Sequence, residues 1–236
     1  MLKTGFEQLS KLLNTIANWK WFWWATFVGC TVPAVLLLVK VAASWVFPGW
    51  GPVVNDTIGG LGVDPLKALL HETGEDSLGV LIACLAITPI RRIFKVNGIQ
   101  KVRRMVGVWS FVYALVHVSI YLGLDQLCYS LESCDFRAIW NDVLKRKFIF
   151  MGTISFVILL VLAITSTNGW IRRLKKKWQP LHRLVYVAAI SGVIHFIWVQ
   201  KSDFTEPLMW AGWIGLLLAI RVYLSMQKKR AAMARA

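Results

Sequence analysis

Six apolar stretches, each close to the length that crosses a bilayer, constrain this chain more than any other feature. A helix crosses the hydrocarbon with ~20 residues. The stretches run roughly over 21–47, 77–94, 105–124, 147–167, 182–200 and 207–226. Lipid offers the backbone no hydrogen-bond partners, so segments like these cross as helices. The expected fold is therefore all-α, a polytopic bundle of about six transmembrane helices. Composition agrees: of 236 residues 57% are hydrophobic and 17% charged, less polar surface than a soluble domain of this size needs. The connections are too short to hold a second sizeable domain.

Residues 1–20 differ from the rest. Leu2, Phe6, Leu9, Leu13 and Ile16 recur at spacings of four and three, one face of a helix, with Lys3, Lys11 and Lys20 around it. This pattern fits an amphipathic helix lying in the membrane interface; a frayed polar tail is the alternative. Trp19, Trp21, Trp23 and Trp24 then mark the headgroup zone. The apolar run that follows is longer than a signal-peptide core, so no cleavable signal is expected. The domain expectation is 1–20 interfacial helix, 21–226 membrane bundle and 227–236 basic tail.

Charge orients the bundle. Six crossings put both termini on one side, together with the loops at 91–104 and 168–183. That side carries 20 of the 27 Lys and Arg residues, while 11 of the 12 acids fall on the other. Positive loops stay in the cytoplasm, so both termini are expected there. The net charge of +15 is thus a topology signal, and it points to anionic lipid rather than to nucleic acid. A phosphate-bearing or acidic electron donor is a second candidate for the basic face. Cys128 and Cys134, in the second outer loop, form either a small disulfide or two free thiols. Cys30 and Cys84 read as small apolar packing residues.

Ionisable residues inside the bilayer are costly and are functional candidates by default. The six stretches hold few: Lys40 lies within reach of the outer interface, and no Asp or Glu sits deep. Proton-coupled transporters usually need such carboxylates, which argues against that class. Histidine remains. His117 lies 12 residues in from Met105, or ~18 Å, and His195 lies 13 residues in from His182, or ~20 Å. Both helices run outward, so the two imidazoles are expected at one depth in the outer half. A lone buried histidine is usually only a packed residue. Two from different helices at one level, with no thiolate or carboxylate beside them, suit the axial positions of a heme iron. Structural zinc would want four nitrogen or sulfur ligands. His182, at the cytoplasmic end, is a candidate ligand for a second, inner heme, although 13 residues place it ~140° around the helix from His195. Its partner level falls near Arg103 and Arg104, neither an iron ligand. His71 reads as a loop or helix-end residue.

Here the residues resemble a family. The segments ITPIRR (87–92), LVHVSIY (115–121), LAITSTN (162–168), KKWQPLHRLVYVAAISGVIHFIW (176–198) and GGLGVDPLK (59–67) resemble the MsrQ (YedZ) family, the heme-binding membrane subunits of a periplasmic methionine sulfoxide reductase system. That family lies within the ferric reductase-like transmembrane proteins. The resemblance runs from about residue 55 to 225. It implies heme b, one or two, ligated at positions matching His117, His182 and His195, and FMN as a further cofactor. It also implies that electrons arrive from the quinone pool or a cytosolic flavin reductase. They would leave to a periplasmic molybdopterin-dependent methionine sulfoxide reductase of the MsrP type, in a bacterial inner membrane. No glycine-rich dinucleotide fingerprint follows a strand pattern, so the donor is expected from outside the chain. Heme propionates would find Arg91, Arg92, Arg104 and Arg172 on the cytoplasmic side. Thr165, Ser166 and Thr167 would either add hydrogen bonds there or cap the fourth helix. The competing readings are a stand-alone ferric or quinone reductase, and a transporter or assembly factor without heme.

Overall fold

A computed structural model describes residues 2–46, 57–58, 60–126, 135–201 and 203–233. Among these residues every regular element is a helix. The α-helices in chain order are α1 (Leu2–Asn18), α2 (Lys20–Val41), α3 (Pro65–Phe94), α4 (Arg103–Ile120), α5 (Phe136–Lys145), α6 (Lys147–Ile164), α7 (Asn168–Leu174), α8 (Trp178–His182), α9 (Val185–Val199) and α10 (Thr205–Met233). Five helices are long and apolar enough to cross a membrane. The segments Asn168–His182 and Val185–Val199, bent by 44° at Arg183–Leu184, make a sixth crossing if taken as one. The all-α polytopic fold is therefore as the hydropathy pattern implies. Cys128 and Cys134 lie outside the described residues.

The second crossing departs most from expectation, beginning at Pro65 rather than near residue 77. Asp64 accepts a hydrogen bond from the Lys67 amide and Pro65 opens the helix, a strong start signal. Its 30 residues span ~45 Å, more than the ~30 Å of hydrocarbon. The extra turns bring His71, Glu72, Glu75 and Asp76 into the helix, so His71 is helical rather than in a loop. Lys40 does not stand alone there: its Nζ lies 2.8 Å from Glu72 Oε1.

The core lies where α3, α6, α9 and α10 meet, at Leu78, Leu81, Leu85, Leu159, Ala188, Ala189, Val193 and Ile214. Small side chains let the backbones close up, as is usual between helices in lipid. Ala188 and Ala189 are fully buried, and Ser155 Oγ donates to the Ala188 carbonyl at 2.8 Å. Between α3 and α4, Ser77 and Ser110 each donate to the other's carbonyl at 3.0 Å. A second cluster gathers Cys30, Cys84, Ile87, Val102 and Val106, so both cysteines serve packing.

α2 is tied to this frame by one hydroxyl. Tyr113 Oη donates to the Cys30 carbonyl at 2.6 Å and accepts from the Ala34 amide at 3.1 Å. Those two groups would ordinarily bond to each other along the helix. Pro33, which cannot continue the ladder, sits between them.

α1 packs at the end of the bundle that carries the arginines. Asn14 Nδ2 donates to the Lys95 carbonyl at 2.8 Å, and its Oδ1 accepts from the Asn97 amide at 2.8 Å. Gly98 lies so close to Ala17 that a Cβ there would meet Ala17 Cβ at 2.8 Å. At the opposite end, Asp203 Oδ1 caps α10 by accepting from the Thr205 amide at 2.9 Å. That bond holds the Asp203 carboxyl below its ordinary pKa.

Candidate functional site

Two imidazoles meet between α4 and α9. The centroids of His117 and His195 are 6.2 Å apart, and their planes cross at 88°. Each ring is held from behind by a backbone carbonyl of a neighbouring helix. His117 Nδ1 lies 2.9 Å from the Leu70 oxygen on α3, and His195 Nδ1 lies 2.7 Å from the Phe148 oxygen on α6. A carbonyl only accepts, so Nδ1 carries the proton in both rings and Nε2 keeps its lone pair. The Thr73 hydroxyl, which donates to the Leu69 carbonyl at 2.6 Å, offers its oxygen to the same His117 Nδ1 at 3.2 Å.

Two glycines make room for the rings. A Cβ at Gly152 would stand 2.8 Å from His195 Nδ1, and one at Gly74 would stand 3.3 Å from His117 Cε1. Both contacts are on the Nδ1 side. Among the described residues each ring makes its hydrogen bonds through Nδ1 alone, so Nε2 is the free edge.

This arrangement fits two imidazoles that share one metal. Metal–imidazole bonds are about 2.0–2.1 Å, which with the half-widths of two rings puts their centroids about 6 Å apart. A second-sphere carbonyl on the other ring nitrogen is the usual companion of a ligating histidine.

His182 stands apart, at the arginine-rich end. Its ring stacks on Trp178 with centroids 3.9 Å apart, and Trp178 Nε1 donates to the Thr165 carbonyl at 2.9 Å. His182 Nδ1 is 3.2 Å from the Trp178 carbonyl, and Nε2 is 3.4 Å from Ser166 Oγ. No second histidine faces it among the described residues. Thr165 and Ser166 donate back to the Val161 and Leu162 carbonyls, and Thr167 caps α7, so all three serve the helix ends.

The arginines divide. Arg92 and Arg172 are exposed, and Arg104 Nη1 donates to Asn168 Oδ1 at 2.6 Å. Arg91 is half-buried, and its Nε is buried without a partner. Arg221 on α10 turns into the bundle. It donates to the Tyr186 hydroxyl on α9 and the Leu85 carbonyl on α3, and its Nε is also without a partner. No carboxylate pairs with any of these cations among the described residues. A buried guanidinium without a counter-ion is costly, so this end fits an anionic group such as a carboxylate or phosphate.

Arg221 was visible in sequence as a single cation inside Gly215–Met226, an otherwise uncharged stretch. The two glycines and Thr73 had no such signal, because their role depends on which helices touch.

Residues 76–193 match the family described as ferric reductase like transmembrane component. Similar curated relatives carry the name protein-methionine-sulfoxide reductase heme-binding subunit MsrQ. The protein from Rhodospirillum rubrum is 40% identical over 211 residues, 89% of this chain and 91% of the relative. That from Herminiimonas arsenicoxydans is 41% identical over 172 residues, covering 72% and 76%. That from Xanthomonas euvesicatoria is 40% identical over 170 residues, covering 72% and 75%.

Proposed function

This chain belongs to the MsrQ family within the ferric reductase-like transmembrane proteins, and on that premise we propose that it is a heme-bearing electron conduit of a protein-methionine-sulfoxide reductase system. The observation that carries the proposal is the His117–His195 pair, with each Nδ1 anchored to a carbonyl and each Nε2 left free. Heme b, when bound, supplies a one-electron iron couple whose potential answers to its ligands, burial and neighbouring hydrogen bonds.

The chain's own residues do the rest. His117 and His195 would hold the iron through Nε2, and the Leu70 and Phe148 carbonyls fix their tautomer and orientation. Gly74 and Gly152 keep those orientations free of collision. Thr73 adds an acceptor to the His117 proton. The apolar faces of α3, α4, α6 and α9 exclude water from the pair. His182 is the candidate ligand of an inner heme, or the anchor of FMN, at the arginine-rich end. Arg91, Arg92, Arg104 and Arg172, joined by Arg221, provide guanidinium groups for propionate or phosphate there.

The arginine-rich loops support a reading in which that end faces the cytoplasm, with both termini on the cytoplasmic side of a bacterial inner membrane and the His117–His195 level towards the periplasm. α1 then lies along the inner interface. Electrons enter at the arginine-rich end from the quinone pool or a cytosolic flavin reductase. They leave near His71 and Phe196 to a periplasmic molybdopterin-dependent reductase of the MsrP type, which performs the chemistry on methionine sulfoxide.

Stopped-flow mixing tests this. Dithionite-reduced protein, freed of excess reductant, should show rapid oxidation of its visible absorption bands on meeting the purified periplasmic reductase. Oxidation by ferric chelates alone, with no response to that reductase, contradicts the conduit and favours a stand-alone ferric reductase.

A further inference from the structure

We propose that His71, Glu75 and Glu206 form a binding site for a divalent transition-metal cation at the end of the bundle opposite the arginines. One ligand atom from each residue can be chosen so that all lie within 4.8 Å of one another. His71 and Glu75 are one turn apart on α3, and Glu206 comes from the first turn of α10.

The histidine is oriented as a ligand is. Glu75 Oε2 lies 3.5 Å from His71 Nδ1, while Glu75 Oε1 accepts from Trp210 Nε1 at 3.2 Å. Phe196 packs edge-on against the ring, with centroids 5.5 Å apart. His71 Nε2 then faces Glu206 Oε2 at 3.4 Å and the Gln200 amide at 3.4 Å. An ion bonded at Nε2 would take Glu206 as a direct ligand, with Glu75 on the Nδ1 side orienting the ring. Two helices, α3 and α10, thus bring one imidazole nitrogen and two carboxylate oxygens within 4.8 Å of one another.

Charge points the same way, independently of that geometry. Of the nearby cations, Lys40 is engaged by Glu72, and Lys67 lies one turn before His71 on α3. Among the described residues no Lys or Arg forms an ion pair with Glu75, Asp76 or Glu206. One imidazole with carboxylates selects a borderline cation of the zinc or manganese(II) type, rather than calcium, which takes only oxygen. His71 and Glu75 are half-exposed and Glu206 is exposed, so the ion exchanges with solvent and water completes its shell. The site is distinct from the histidine pair yet adjoins it, since Leu70 anchors His117 and Phe196 follows His195 in the chain.

The test uses the full-length protein in detergent, stripped of adventitious metal, equilibrated with zinc chloride and analysed for bound zinc. Wild type should hold one equivalent, and His71→Ala and Glu206→Gln should each weaken binding at least tenfold. Glu206 is exposed, so its variant decides the matter should His71→Ala fail to fold. A His117→Ala/His195→Ala variant should keep its zinc. Wild type without zinc overturns the proposal. So does unchanged binding in Glu206→Gln, or zinc lost only with His117 and His195.

Discussion

The His117 ring stands nearly perpendicular to that of His195, 88° between planes, with the two centroids 6.2 Å apart. The crossing follows from what lies behind each ring. Carbonyls on two different helices, Leu70 on α3 and Phe148 on α6, set the two orientations separately. Imidazoles crossed in this way would leave a distinct imprint on a ferric heme that they held. Electron paramagnetic resonance of the oxidised protein should show the highly anisotropic low-spin signal of perpendicular ligand planes. A rhombic signal from parallel planes would contradict this geometry.

Gly152 is the most sensitive position around the pair. A methyl group there would stand 2.8 Å from His195 Nδ1 and push the ring off the Phe148 carbonyl. Gly152→Ala should lower heme affinity by about 10–100-fold, the range for loss of a second-sphere anchor. Gly215→Ala, with nothing within 4 Å of the added atom, should change nothing. Titration of hemin into the two stripped variants checks both.

Tyr113 tests the frame without touching the site. Tyr113→Phe removes the hydroxyl that serves both the Cys30 carbonyl and the Ala34 amide beside Pro33. The expected cost is about 1–3 kcal/mol. It should be read as a lower thermal midpoint in detergent, with the visible spectrum unchanged.

Arg221 should matter for electrostatics as well as packing. Arg221→Gln keeps a donor for Tyr186 or the Leu85 carbonyl but deletes a buried positive charge. Removing a cation disfavours the reduced form of a nearby iron, so the midpoint potential should fall. Potentiometric titration of the visible bands reads the shift, and a potential that rises or stays fixed would remove Arg221 from the redox environment.

Much of this arrangement was legible in the sequence, and the reasons for the rest are specific. Counting helical rise from the basic loops placed His117 and His195 at a common level, because depth depends only on length along each helix. Direction around the axis was harder: the 44° bend at Arg183–Leu184 resets the angle between His182 and His195. The first turns of α3 escaped a hydropathy reading because Glu72, Glu75 and Asp76 interrupt the apolar run. The Asp64–Pro65 start signal was nonetheless present. Gly74, Gly152 and Thr73 carry no mark in one dimension, since each matters only through the helix it faces.

The most direct measurement is heme content by reduced-minus-oxidised spectra, normalised to protein, for wild type and a His117→Ala/His195→Ala variant, each shown to be folded by size exclusion. The expected result is loss of the bis-imidazole spectrum from the double variant, with any remaining signal confined to the His182 end. A full wild-type complement of heme in that variant would contradict the assignment of these two rings as ligands.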